Sequence, residues 1–172
     1  PTSEGAVSTM ATPITSPLDS GATDITGRVL QETLVDLVDL SLVAKQAHWN
    51  LVGRQFRDIH LHLDELVDLA REHGDSVAER AAAIGVAPDG RAKTVGRDTG
   101  LPEYPAGYVS DSDTVLTISA TVDAAVDRLR PRIEQAGKAD PLTEDLLIEL
   151  GRALEEARWM WQAQAAGYRG EV

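Results

Sequence analysis

Apolar residues recur along the chain at helical spacing in four long stretches, separated by turn-forming residues. The first stretch starts near Asp24 or Thr26, either of which can cap a helix. It carries Val29, Leu30, Leu34, Leu37, Val38, Leu42 and Val43, and should run to about Leu51, with Gly53 ending it. The second spans Phe56 to Ile84 and stops at Gly85. Its apolar stripe is Phe56, Ile59, Leu63, Leu66, Ala70, Val77, Ala81 and Ile84. The third starts near Asp113 and runs to about Ala136, with Pro131 kinking it or marking its last turns. Asp140 followed by Pro141 signals a cap and first turn, so the fourth runs from Pro141 to about Ala166. No strand pattern competes, and no internal repeat is present.

Residues 1–23 are rich in Ser, Thr, Pro, Gly and Ala, carry Glu4 and Asp19, and hold no basic residue. They read as a flexible N-terminal arm, 24–166 as one helical domain, and 167–172 as a short C-terminal tail. The stretch from Val86 to Asp111 holds several Gly and Pro residues and is a long connection; connections of this length are functional or contain a short helix. Four long helices with one long crossover between the second and third describe an all-α fold. It resembles the ferritin-like four-helix bundle, in which the crossover lets those two helices run parallel.

A chain of 172 residues suits one domain that buries a sound core without staples. Hydrophobic residues make up 42% and charged residues 26%, values that fit a globular protein. No apolar run approaches the ~18 residues that span a bilayer, so no membrane partner is expected. There is no basic-then-apolar secretory signal at the start. Cysteine is absent, which excludes disulfides and thiolate metal sites and allows a reducing, cytoplasmic setting. The net charge of −12 repels nucleic acid and anionic lipid, and the only lysines, Lys45, Lys93 and Lys138, are widely scattered.

All four histidines, His48, His60, His62 and His73, fall in one window, among Asp64, Glu65, Asp68, Glu72, Asp75 and Glu79. His60 with Asp64, and Asp75 with Glu79, have i,i+4 spacing, so each pair shares a helix face and can converge on one ion. Mixed imidazole and carboxylate ligands suit iron, manganese or zinc. His60 and Asp75 lie fifteen residues apart, roughly 22 Å along a straight helix, and cannot ligate one metal within a single chain. Two antiparallel copies of the helix meeting at a two-fold axis can bring them together. The four side chains occupy an arc of about 100° beside the core stripe, which places such a site at a symmetric interface.

The segment from Lys45 to Gly85 resembles the Dps mini-ferritins, the DNA-binding proteins from starved cells. The matching residues are His48-Trp49-Asn50, then His60, Asp64, Asp75 and Glu79. Leu154-Glu155-Glu156 before Trp159-Met160 adds to it, and the likeness covers about residues 26–166. The resemblance implies a homo-dodecameric shell with iron sites at its two-fold interfaces. His48, His60 and Asp64 would come from one subunit, and Asp75 and Glu79 from its partner. It further implies oxidation of iron(II), preferably by hydrogen peroxide rather than oxygen, and storage of the ferric mineral in the cavity, protecting against oxidative damage. Trp49 would lie near the site and intercept stray oxidising equivalents, and Trp159 is a weaker candidate for that role. Shells of this kind admit iron through acidic channels on three-fold axes, which Asp123 and Asp127 could line; a plain solvated face fits them equally well.

Ordinary ferritins place a Glu-x-x-His motif inside the bundle, and no Glu here is followed by His three residues later. Alone, the His60–Asp64 pair would be a surface contact and Asp75–Glu79 a solvated face; the five-residue pattern sets them apart. His73 falls near the core stripe and reads as packed, and tryptophans at helical positions usually pack. DNA binding in the family often uses a lysine-rich tail. Here the first basic residue is Arg28 and the C-terminal tail has only Arg169 against Glu171, so weak or no DNA binding is expected.

Overall fold

The computed structural model describes residues 13–170. Helix α1 spans Ser20–Asn50, α2 Phe56–Ala83, α3 Ala92–Asp98, α4 Asp111–Gly137 and α5 Pro141–Arg169. Two-residue strands β1 (Leu51–Val52) and β2 (Val109–Ser110) pair in parallel, Leu51 with Val109 and Val52 with Ser110. Each strand leads directly towards a helix, β1 to α2 and β2 to α4. Their parallel pairing therefore sets the starts of α2 and α4 side by side, and the crossover between them carries the short helix α3. The four long helices enclose a core that includes Leu30, Leu37, Leu63, Ile118, Leu147 and Trp161, each 2% exposed or less.

Several boundaries differ from the sequence expectation. α1 begins at Ser20, not near Asp24 or Thr26, because the Asp19 carboxylate accepts the Ala22 N–H at 2.9 Å and caps the helix there. Thr26 is instead fully buried within α1. Residues 20–23 of the expected arm are thus helical, and residues 1–12 lie outside the described residues. α4 begins at Asp111 under a Ser110 cap. Asp113, expected to cap it, is the third helical residue; its N–H donates to Ser110 Oγ at 3.1 Å and its carboxylate accepts the Ser110 hydroxyl at 2.8 Å. α5 continues to Arg169, past Ala166, and ends where Gly170 turns left-handed at φ 71°. The strands β1 and β2 were not expected. They are too short to show alternation, and only the pairing defines them.

Pro131 lies inside α4, which continues to Gly137. The Pro131 ring faces the exposed side, where the missing N–H costs least. Asp140 caps α5 by accepting from Leu142 N at 3.3 Å and Thr143 N at 3.0 Å. It also accepts Arg80 Nη2 at 2.5 Å, so the end of α2 is tied to the start of α5. The buried Asp36 carboxylate accepts from Arg128 Nε at 2.8 Å and Arg132 Nη1 at 2.7 Å, which ties α1 to α4. At Gly53, φ is +149° and an added Cβ would lie 2.2 Å from the Asp111 carboxylate. That carboxylate accepts the Gln55 N–H at 3.0 Å, so the bare glycine lets it set the entry to α2.

Candidate metal centre

The last turns of α1 and the first turns of α2 bring three ligand types together. His48 is buried near the end of α1, while His60 and Asp64, one turn apart on α2, are half-buried. A ligand atom from each lies within 4.8 Å of the others. This is the one group of three or more candidate metal ligands among the described residues. The neighbouring Ala47 and Ile59 are wholly buried, so packing of the two helices sets the approach of the histidines.

The two imidazoles stack with centroids 3.6 Å apart and planes inclined by 23°. His48 Nδ1 lies 3.0 Å from the His60 carbonyl, and His60 Nδ1 lies 3.1 Å from the His48 carbonyl. A carbonyl only accepts, so each Nδ1 carries its proton and donates. Both Nε2 lone pairs are then left for a metal, the arrangement in which the backbone orients a ligating histidine. Phe56 lies one turn before His60, with ring centroids 4.9 Å apart.

Asp64 completes the group and is engaged by a cation of the chain itself. The Lys45 ammonium donates to Asp64 Oδ1, and His48 Nδ1 lies 3.3 Å from the same oxygen. The Lys45 hydrogen bond, with help from the nearby imidazoles, holds the Asp64 carboxyl below the usual carboxylate range. Lys45 is the residue that sequence reasoning missed. Its signal was its place one turn before His48 on the same helix. A divalent ion entering this group would have to compete with the ammonium for the same carboxylate.

Asp75 and Glu79 stand elsewhere. Both are exposed on the C-terminal half of α2 and make no hydrogen bond or ion pair among the described residues. Arg80, next in sequence, is held by Asp140 and by Thr143 Oγ1, to which its Nε donates at 3.0 Å. Within one chain, therefore, three of the five expected ligands converge and two remain as free carboxylates.

The other candidates separate by position. His62 stacks on the buried Trp161 with centroids 4.1 Å apart and planes at 1°, and donates from Nδ1 to Gln164 Oε1 at 3.2 Å, so it packs α2 against α5. His73 is half-buried beside Gly74. Trp49 and Trp159, expected from helical spacing to pack, are 68% and 67% exposed, whereas Trp161 is a core residue. Asp123 accepts from Arg158 Nε at 2.6 Å and Gln162 Nε2 at 2.8 Å, while Asp127 is exposed, so these two do not form a free acidic pair.

Residues 28–169 match the family model of the ferritin-like domain, the class that a four-helix bundle with this crossover and a His/Asp centre defines. The chain is 36% identical over 156 residues to the fine tangled pili major subunit of Haemophilus ducreyi, covering 88% of this chain and 82% of that protein. It is 33% identical over 147 residues to the DNA protection during starvation protein of Agrobacterium fabrum, covering 85% and 91%. The structure of Dps from Microbacterium arborescens in the high iron form superposes with a TM-score of 0.83 at 31% identity, over 89% of this chain and 99% of that one. The chain belongs to the Dps family of ferritin-like proteins.

Proposed function

We propose that this protein is a ferroxidase and iron-storage mini-ferritin. It oxidises iron(II), preferably with hydrogen peroxide, and keeps the ferric product inside a homo-dodecameric shell. The observation that carries this reading is the His48–His60–Asp64 group, with two unpaired carboxylates, Asp75 and Glu79, on the same helix. The first group is half of a site, and a second copy of the chain supplies the other half. The high-iron form of the Microbacterium arborescens Dps lends support, as iron is named there with the same fold.

His48 and His60 offer neutral nitrogen donors, and Asp64, Asp75 and Glu79 offer charged oxygens. Neutral imidazoles admit iron(II) without overloading the site with charge. The carboxylates stabilise the higher charge of iron(III) more strongly, which favours the oxidised ion. Two iron(II) ions deliver two electrons to one hydrogen peroxide. The O–O bond breaks, both oxygens leave as water or hydroxide, and the protons released on hydrolysis of iron(III) pass to solvent. Glu79, exposed and unpaired, is free to move with the product. Trp49, beside His48 in sequence, serves as a sacrificial reductant for stray oxidising equivalents.

The test adds iron(II) and peroxide to the purified protein without air, then follows iron and protein together through gel filtration. Soluble iron co-eluting with a particle near twelve subunits supports the proposal. A particle of that size without iron refutes the chemistry assigned to the five ligands, and a monomer refutes the two-fold site. The protein acts in the cytoplasm on this reading; no helix among the described residues is long and apolar enough to cross a membrane.

A further inference from the structure

The ferroxidase reading requires two α2 helices to run antiparallel about a two-fold axis, with His60 opposite Glu79 of the partner subunit and Asp64 opposite the partner subunit's Asp75. This register makes a further demand. Each step of four residues forward along one helix is matched by a step of four back along the other. One more step from Asp64 reaches Asp68, and one step back from Asp75 reaches Arg71. Asp68 therefore meets the partner's Arg71, and by symmetry Arg71 meets Asp68 of the partner subunit.

Three observations agree with this placement. His60, Asp64, Asp68, Arg71, Asp75 and Glu79 all fall within one arc of about 100° on α2, beside the stripe of buried Ile59, Leu63, Ala70 and Val77. Asp68 and Arg71 are exposed, and neither makes a hydrogen bond or ion pair among the described residues, although their i,i+3 spacing would allow one within the helix. The flanking groove between α1 and α2 is walled by Leu34, Leu37, Val38, Ala70 and Ala78, with Arg71 and Asp75 at its edge, so apolar surface borders the charges.

Charge gives the pair its purpose. Without Arg71, the six facing positions would offer histidine and carboxylates only, and two such ridges repel before a metal arrives. Arg71 is the one cation in that set. At the axis, about 4.5 Å along the helix from Asp68, it can satisfy the partner without entering either metal site, the sites lying roughly 22 Å apart. A one-turn slip in one direction would set Asp68 against the partner's Asp75 and Asp64 against the partner's Glu79, carboxylates facing carboxylates. A slip in the other direction would set Arg71 against Asp64 of the partner subunit, a proposed metal ligand. We infer that reciprocal Asp68–Arg71 ion pairs across the two-fold axis lock two copies of α2 into the one register that completes both metal sites.

The inference rests on the proposed site, and its test separates the two. Asp68→Arg makes a chain with arginine at both positions; Arg71→Asp makes one with aspartate at both. Each is prepared alone and as a co-expressed mixture. Helix content and Tm check folding, native mass spectrometry reads assembly, and zinc(II) titration reads the site. Each variant alone is expected to lose assembly and to bind zinc(II) at least about tenfold more weakly, because like charges meet at the axis. The mixture is expected to form particles containing both chains and to recover affinity to within about threefold of wild type. An ion pair within one helix cannot produce that recovery, since neither chain regains one. Normal assembly of either variant alone, or no recovery in the mixture, overturns the inference. Wild-type protein that binds no zinc(II), or binds it unchanged after His60→Ala, instead defeats the site, while the mixed assembly still reports on the ion pair.

Discussion

His48 and His60 hold each other in place: each donates its Nδ1 proton to the other's backbone carbonyl, at 3.0 and 3.1 Å. A ring fixed in this way loses little freedom on binding a metal, and its Nε2 is already in the ligating tautomer. His60→Ala removes a proposed ligand and the ring stacked on His48, while the backbone carbonyl that accepts from His48 Nδ1 remains. It is expected to slow iron(II) oxidation and weaken zinc(II) binding by at least about tenfold, with Tm shifted only slightly because the ring is half-buried. Stopped-flow oxidation beside calorimetric titration checks both; an unchanged oxidation rate would refute the assignment.

Lys45 pairs with Asp64, and on the proposed site a metal would have to displace it. Lys45→Gln is expected to strengthen zinc(II) binding several-fold near pH 7, because no resident cation then competes for the carboxylate. It also removes the chief cause of the lowered Asp64 pKa, which returns towards 3.8. Protons then compete with metal up to higher pH, so the acid limb of the binding curve moves upward. Titrations at several pH values read both effects, and weaker binding at neutral pH would contradict the prediction.

Asp140 joins α2 to α5 through Arg80 and Thr143. Burial by itself pushes its carboxyl up, but the hydrogen bonds from Thr143 and Arg80 together outweigh it and leave the pKa below 3.8. The sign follows: the folded state holds this proton less tightly than the unfolded chain, so the stabilisation is complete above pH ~4 and is lost as pH falls through the folded value. Asp140→Ala is expected to cost roughly 2–4 kcal/mol, combining a lost cap with an unpaired Arg80. Asp140→Asn keeps the cap and should cost less. Denaturant titrations at pH 7 and near pH 3 measure the difference, which should shrink in acid.

Asp36 lies buried between two guanidiniums. Asp36→Ala leaves Arg132 buried beside a cavity with only Glu32 in reach, and is expected to destabilise the fold by roughly 3–5 kcal/mol. Chemical unfolding provides the measurement. A loss below 1 kcal/mol would mean that water replaces the carboxylate at little cost.

DNA binding is expected to be weak. The chain has 16 basic against 28 acidic residues, and no basic residue precedes Arg28. A gel shift with supercoiled plasmid at physiological salt should show no retardation at modest protein excess, since few phosphates can be neutralised. Tight complexes that resist salt would require a basic surface formed only in the assembled shell.

The sequence by itself determined the four helices, because their apolar residues repeat with the helical period and Gly85, Asp140 and Pro141 punctuate them. It also supplied the expected five-residue ligand pattern, and on the proposed site it calls for a second copy, since axial rise alone separates His60 from Asp75. Local hydrogen bonds decided the helix ends, which is why Asp19 and Ser110 displaced Asp24 and Asp113 as caps. Only the tertiary structure decided the rest. The approach of α1 to α2 stacks His48 on His60 and delivers Lys45 to Asp64. The return of the crossover pairs β1 with β2, and the packing of α5 buries Trp161 against His62 while leaving Trp49 and Trp159 outside. Such contacts join residues far apart in the chain, and periodicity, a property of neighbours, carries no information about them.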